Sequence, residues 1–267
     1  MPHIHTNGIN LYYEERGSGA PLLLIMGITA PGAVWEKHAA YWEKDFQCII
    51  GDNRGVGLSD QPAGPYTSAQ MADDYAGLLD SLQIQNVRVV GCSMGSIIAQ
   101  QLALRHPEKV RSLVLMCPWA RCDNTAKAIF QHLMHCKARL TPEEFNLFIQ
   151  LLIYSKSSWD NDNIYAELKE SRQQAAIDPL PQPLQGLEGQ AAACITHDVL
   201  GELSKIQQPA FIIGGKEDIF TPVWMAEEVA GGISNAELHL YEKSGHAFHW
   251  ENLSDFNPRV RNWLINN

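Results

Sequence analysis

Gly91-Cys92-Ser93-Met94-Gly95 sets a serine between two glycines, directly after the apolar run Val87 to Val90 and before the helical run Ser96 to Leu104. Glycines at both flanks let a chain turn tightly from strand into helix, which holds the middle residue strained and exposed. The helix that follows offers unpaired N–H groups and the positive end of its dipole, and both favour negative charge on a substrate oxygen. Ser93 is therefore a candidate nucleophile; an inert serine in a plain turn is the competing reading, and the strand and helix context weighs against it. A serine hydroxyl is a weak nucleophile at neutral pH, so it needs a histidine base and a carboxylate that fixes the imidazole tautomer. Two later loops supply both. Gly214-Gly215-Lys216-Glu217-Asp218 follows the strand-like Phe211 to Ile213, and Ser244-Gly245-His246 follows the strand-like Leu238 to Tyr241. Asp218 is preferred to its neighbour Glu217 because Asp218 to Pro222 runs into the next helix. His246 is preferred to its rival His249 because Gly245 lets the loop tighten.

The elements that must position these groups can be read from apolar patterning. His3 to Thr6 and Leu11 to Glu15 flank Asn7-Gly8, a turn pair that tolerates positive φ, and read as an antiparallel hairpin. Leu22 to Ile25, Cys48 to Gly51, Val87 to Val90, Leu113 to Met116 and Phe211 to Ile213 are short, nearly continuous apolar runs, as expected of strands covered on both faces. Between them lie amphipathic stretches such as Tyr75, Leu78, Leu79 and Leu82, whose spacing makes one apolar helix face. This alternation predicts βαβ crossovers and an α/β fold with a mostly parallel sheet flanked by helices. From about 120 to 195 the alternation breaks into helix-like segments, Ala126 to Lys137, Pro142 to Ile153 and Ile164 to Ala176, followed by the bend Pro179-Leu180-Pro181-Gln182-Pro183. The expected organisation is a core of residues 1–119 and 199–267 interrupted by a helical cap, residues 120–198. Apolar cap residues such as Phe130, Leu133, Phe145 and Phe148 suit either a substrate-facing underside or the subdomain's own core. Trp119, where core passes into cap, is a candidate substrate-pocket wall, with ordinary packing as the alternative.

The chain has 267 residues, with 20 Lys and Arg against 30 Asp and Glu, a formal net charge of −10. That balance disfavours non-specific binding to nucleic acid or to an anionic membrane. No N-terminal basic segment precedes an apolar run of signal length, and no stretch approaches the roughly 20 apolar residues that span a bilayer, so cytoplasm is the expected compartment. The six cysteines, Cys48, Cys92, Cys117, Cys122, Cys136 and Cys194, show no paired CxxC spacing and read as reduced thiols. His132, His135 and Cys136 lie close in sequence but lack a further ligand at metal-binding spacing, so no metal site is expected. Cys92, beside the serine, is expected to pack beneath it.

Taken together, these motifs resemble those of the α/β-hydrolase superfamily over nearly the whole chain. Asp52-Asn53-Arg54-Gly55-Val56-Gly57-Leu58-Ser59 is similar to that family's DxRGxGxS segment, and Arg105-His106-Pro107-Glu108-Lys109-Val110 to its helix-to-strand connection. The resemblance implies an eight-stranded sheet, and a chain order of serine, acid, histidine that Ser93, Asp218 and His246 satisfy. It implies that Asp52 and Arg54 organise their loop. It also implies an oxyanion hole from the backbone N–H groups of Met94 and Ile28, although Met26-Gly27-Ile28 departs from the usual His-Gly-x. Within the family the chain resembles small capped carboxylesterases and lactonases of the 3-oxoadipate enol-lactonase group, on Gln190 to Asp198 leading into Leu203 to Ile206. The implied function is hydrolysis of a small-molecule ester or lactone without cofactor. Carbon–carbon bond hydrolysis or cofactor-free perhydrolysis with the same three residues, and a non-catalytic small-molecule receptor, are the alternatives.

Overall fold

The computed structural model describes residues 2–267. Eight strands form one sheet: β1 (His3–Thr6), β2 (Ile9–Arg16), β3 (Ala20–Ile25), β4 (Phe46–Gly51), β5 (Val87–Cys92), β6 (Val110–Met116), β7 (Ala210–Gly215) and β8 (Ala236–Tyr241). Their spatial order is β1-β2-β4-β3-β5-β6-β7-β8. β1 and β2 form the expected hairpin, with Asn7 at φ 47° and Gly8 at φ 78° in its turn. β2 runs antiparallel to β4, and every pairing from there to β8 is parallel.

The apolar runs are continuous because alternate residues enter different cores. Leu23 and Ile25 join one cluster while Leu22 and Leu24 join the other, and all four side chains are closed to solvent. Helices α1 (Glu36–Trp42), α2 (Ser68–Ser81), α3 (Met94–Arg105), α4 (Asn124–Lys137), α5 (Pro142–Ile153), α6 (Lys156–Trp159), α7 (Asp162–Ala176), α8 (Leu184–Thr196), α9 (Val223–Gly232), α10 (Phe248–Glu251) and α11 (Leu253–Asn266) complete the chain. Those of the first cluster include α2, α3 and α9, while Trp35, Trp42, Phe256 and Val260 build the second around α1 and α11. Truncating any of these fully buried leucines to alanine costs about 2–5 kcal/mol, the lost transfer energy plus the cavity left behind.

Five helices, α4 to α8, fill the interval between β6 and β7 with no strand among them. An isolated bridge between Arg121 and Asp198 closes the two ends of this excursion. α5 begins with a capping box in which Thr141 and Glu144 bond reciprocally, and Pro142 sits in its first turn, where no N–H partner is needed. Among the described residues no helix is long and apolar enough to cross a membrane.

Candidate active site

All three candidate side chains leave the carboxyl end of the parallel sheet, where open α/β sheets place their ligands. Ser93 follows β5 with φ 54° and ψ −117°, a sparsely populated conformation that costs an L residue on the order of 1–3 kcal/mol. Its backbone is held there: Ser93 N–H donates to Met116 O at 2.8 Å, and Ser93 O accepts from Ser96 N–H at 2.8 Å and Ser96 Oγ at 2.6 Å. The flanking glycines allow this tight path. A Cβ on Gly91 would lie 2.3 Å from Gly95 O, and one on Gly95 would lie 2.0 Å from Ile25 O.

Asp218 leaves β7 by a short turn and is buried. Its Oδ1 accepts from the N–H groups of Phe220 at 2.8 Å and Thr221 at 2.9 Å, and its Oδ2 accepts from Thr221 Oγ1 at 2.8 Å. The remaining partner of Oδ2 is His246 Nδ1, also at 2.8 Å. Glu217 points to solvent and takes no part. Burial pulls the His246 pKa down, but the charge and hydrogen bond of Asp218 outweigh it, leaving the imidazole above its ordinary value. Thr221 is a member of this group that sequence reasoning did not single out. Its signal was present as Asp-x-x-Thr ahead of a helix, the spacing at which a carboxylate bonds the next turn.

His249, the rival base, is committed elsewhere. Its Nδ1 lies 2.9 Å from His38 Nε2, whose Nδ1 lies 2.6 Å from Asn257 Oδ1, and its Nε2 faces Cys92 Sγ at 3.9 Å. One neutral tautomer set satisfies the whole row: His38 donates to Asn257, His249 donates to His38, and the Cys92 thiol donates to His249.

Ser93, His246, Gly27 and Ile28 line one cavity of about 730 Å³. The Ser93 hydroxyl makes no hydrogen bond to protein and faces this space. Gly27 lies against the serine, since a Cβ there would sit 3.2 Å from Ser93 Cβ. Ile28 N–H and Met94 N–H, the latter in the first turn of α3, have no protein acceptor, so both are free to meet a substrate oxygen. The loop lacks the customary histidine, and two other side chains hold it. Asn53 Nδ2 donates to Met26 O at 2.8 Å, and Gln190 Oε1 accepts from Thr29 N–H at 3.0 Å. Asp52 accepts from Gly32 N–H at 2.6 Å and Leu58 N–H at 2.8 Å, while Arg54 Nε donates to Asp74 at 2.6 Å; both organise loops.

Trp119 does not line the cavity. It packs in the core against Phe130, with ring centroids 5.9 Å apart. The aromatic walls are Phe220, Tyr154 and Trp250 instead. His132 and His135 are exposed on α4 while Cys136 is buried, so these three do not converge. Cys117, Asp218 and His246 bring one sulfur, oxygen and nitrogen within 4.8 Å of one another. Those atoms are already engaged: Cys117 Sγ donates to His246 O at 3.2 Å, and both Asp218 oxygens accept the bonds described above. Burial holds the Cys117 thiol protonated by pushing its pKa well up. Cys92 is buried beside the serine, as expected, and borders the cavity.

An eight-stranded, mostly parallel sheet that carries a serine at a strand-to-helix turn, with an acid and a histidine on later strand exits, defines the α/β-hydrolase class. The chain belongs to the alpha/beta hydrolase fold family, which matches it over residues 20–253. It is 29% identical over 248 residues to RutD of Azorhizobium caulinodans, assigned provisionally as a carbamate hydrolase, across 93% of this chain and 92% of that one. The structure of BpoC of Mycobacterium tuberculosis, assigned provisionally as a non-heme bromoperoxidase, superposes with a TM-score of 0.87 at 28% identity, covering 96% of both chains. Est816, described as an N-acyl homoserine lactone degrading enzyme, superposes with a TM-score of 0.83 at 26% identity, covering 98% of this chain and 99% of that one.

Proposed function

We propose that the protein is a serine hydrolase that cleaves a carboxylic ester or lactone of a small molecule through an acyl-enzyme. The observation that carries this reading is the buried 2.8 Å bond between His246 and Asp218, opening on the same cavity as the strained Ser93. Asp218 accepts the Nδ1 proton, which leaves the lone pair of His246 on Nε2, the nitrogen available to act as a base. His246 takes the Ser93 proton as Oγ attacks the carbonyl carbon, and the N–H groups of Ile28 and Met94 hold the oxyanion. Collapse breaks the acyl–oxygen bond, and His246 protonates the departing alkoxide. In a lactone that new hydroxyl stays tethered to the acyl group. Water, deprotonated by His246, then attacks the acyl-enzyme and returns Ser93, while Asp218 stabilises the imidazolium in both halves. These steps use protein groups and water alone.

The Ser93 hydroxyl is unbonded without substrate, and such bonds tighten in the complex. The helices of residues 120–198 serve as a cap over the core of residues 1–119 and 199–267. The relatives support the reading at the level of chemistry, because a carbamate and an acyl homoserine lactone both react by attack at a carbonyl carbon. The likeness to a bromoperoxidase favours one second reading, in which hydrogen peroxide replaces water and the acyl-enzyme yields a peracid.

The test compares wild type with Ser93→Ala on p-nitrophenyl esters of graded chain length and on simple lactones. A loss of about a thousandfold or more in kcat is expected. Activity that survives the substitution would overturn the nucleophile. Folded wild type inert on every member would move the reading to carbon–carbon cleavage or a receptor.

A further inference from the structure

Thr221 grips the acid of the site at both oxygens. Its N–H donates to Asp218 Oδ1 at 2.9 Å, and its Oγ1 donates to Oδ2 at 2.8 Å. The same hydroxyl oxygen lies 3.1 Å from His246 Nδ1, which itself lies 2.8 Å from Oδ2. Three polar atoms, one from each residue, close a triangle in which every side is a hydrogen-bond distance. All three residues are buried, so bulk water does not compete for these positions.

Counting protons fixes how the triangle is wired. An ionised carboxylate only accepts, so Oδ2 draws both the hydroxyl proton and the Nδ1 proton. The opposite wiring, a hydroxyl donating to a bare Nδ1, would leave Oδ2 without a donor in a buried place, which is costly. With its proton on Oδ2, the hydroxyl turns a lone pair towards Nδ1 and takes a share of the proton there. A bare Nδ1 would face two oxygens and no proton. The hydroxyl thus opposes the tautomer protonated on Nε2, the nitrogen that must be bare for His246 to act as a base.

The hydroxyl also sets the direction of the carboxylate. The torsion that turns a carboxylate about its Cβ–Cγ bond is soft, and Oδ1 alone is held by backbone, from Phe220 and Thr221. Without Oγ1, the sole partner of Oδ2 would be the imidazole it has to orient. Thr221 is a firm mount, because its side chain is branched at Cβ and the next residue, Pro222, holds φ at −55°. On the imidazole itself, the Phe220 ring packs with centroids 5.1 Å apart.

We propose that Thr221 is a positioning residue for the proton transfers at Ser93: its hydroxyl aims Asp218 Oδ2 and keeps His246 protonated on Nδ1 and bare on Nε2. This goes beyond closing the turn ahead of α9. Its effect on rate rests on the hydrolase reading above, whereas its effect on the imidazole does not.

The test joins steady-state kinetics to ring-nitrogen NMR of isotope-labelled histidine, with His246→Gln identifying the signals. Thr221→Val keeps the shape and removes the hydroxyl, and Thr221→Ser keeps the hydroxyl. At alkaline pH, where the ring is neutral, wild type and Thr221→Ser should show a protonated Nδ1 and a bare Nε2. In Thr221→Val the two shifts should move towards each other as the tautomers mix. On a p-nitrophenyl ester kcat should fall at least about tenfold in Thr221→Val with KM nearly constant, and Thr221→Ser should recover most of it. Wild-type shifts or wild-type kcat in a folded Thr221→Val, even with a lower Tm, overturn the proposal and leave Thr221 a part of the turn only. Should valine fail to fold, Thr221→Ala carries the same two readouts, and a wild-type His246 protonated on Nε2 overturns the proposal without any variant. Were wild type to cleave no ester, the hydrolase reading would fail by itself, and the nitrogen shifts would still decide whether Thr221 sets the tautomer.

Discussion

Gln190 shows how one side chain can stand in for a missing motif residue. It is fully buried on α8, and its amide accepts from Thr29 N–H at 3.0 Å and Gln182 Nε2 at 2.9 Å while donating to Arg54 O at 2.9 Å. Thr29 sits at φ 69°, costly for a β-branched residue, so the loop carrying Ile28 N–H keeps its shape only while something outside it holds it. Gln190→Leu should strand the buried Arg54 O, at about 1–3 kcal/mol, and release the half-buried Thr29 N–H at the cavity edge. On the proposed mechanism it should also let Ile28 N–H drift from the oxyanion, lowering kcat at least about tenfold on a p-nitrophenyl ester with KM nearly constant. Steady-state kinetics beside a thermal melt decide it: a lower Tm with unchanged kcat would mean that Gln190 supports only the fold. Nothing local in the sequence marks this role, because Gln190 lies 161 positions from Thr29. Ser93, Asp218 and His246 were legible for the opposite reason, since each sits in its own short strand-exit motif. Trp119 was misleading because a strand end tells where the chain is, not which way a ring turns from it.

At the scale of elements, the strands were legible because burial on both sheet faces writes continuous apolar runs, as in Leu22 to Ile25 and Leu113 to Met116. Helix α8 was harder to read. It carries Gly186 and Gly189 and packs so closely that a Cβ on Gly186 would sit 2.1 Å from Gly55 O, so buried small residues replace an amphipathic stripe. The junction between α5, α6 and the His246 loop was invisible for want of any local pattern. There Glu251 accepts from Ser155 N–H at 2.8 Å, Ser158 Oγ at 2.6 Å and Gly245 N–H at 2.8 Å, while Ser157 Oγ donates to Lys243 O at 2.9 Å. One carboxylate thus ties α6 and the end of α5 to the loop that carries His246. Glu251→Gln keeps the shape but turns an N–H₂ towards donors, so it should loosen both partners together. We expect kcat to fall by about tenfold to a hundredfold, the roughly 1.5–3 kcal/mol of a lost charge-assisted bond at about 1.4 kcal/mol per decade. We also expect limited proteolysis to speed up within residues 153–160. Unchanged cleavage alongside a reduced kcat would place the effect in the histidine loop alone.

For the whole molecule, the buried histidines set how it meets acid. Burial lowers the pKa of His38 to about 4 and of His197 to about 3, and pushes His249 well down, while Asp218 raises His246. At neutral pH the depressed groups are uncharged whether folded or not and contribute nothing to the balance. Below about 6.5 the unfolded chain takes up their protons and the native state does not, so stability falls until each folded pKa is reached. His246 acts in the other direction, adding stability as pH drops through its raised folded pKa, but it is one group against these three and against His239, whose pKa partial burial also lowers. Between pH 6.5 and 5 each of the three buried histidines costs on the order of 2 kcal/mol, a substantial part of a typical 5–15 kcal/mol total. The net charge of −10 shrinks over the same interval and relieves self-repulsion, so wild type alone would mix two opposing trends. His197→Phe separates them. This ring meets only Ser68 Oγ through Nδ1, at 2.9 Å, and its Nε2 is buried without a partner, so replacing it leaves the surface charge of the native protein as it was. Urea unfolding at pH 7.5 and pH 5 should show wild type losing about 2 kcal/mol more than the variant. Parallel losses in the two proteins would mean that His197 titrates alike in the folded and unfolded chain, and that the acid sensitivity arises elsewhere.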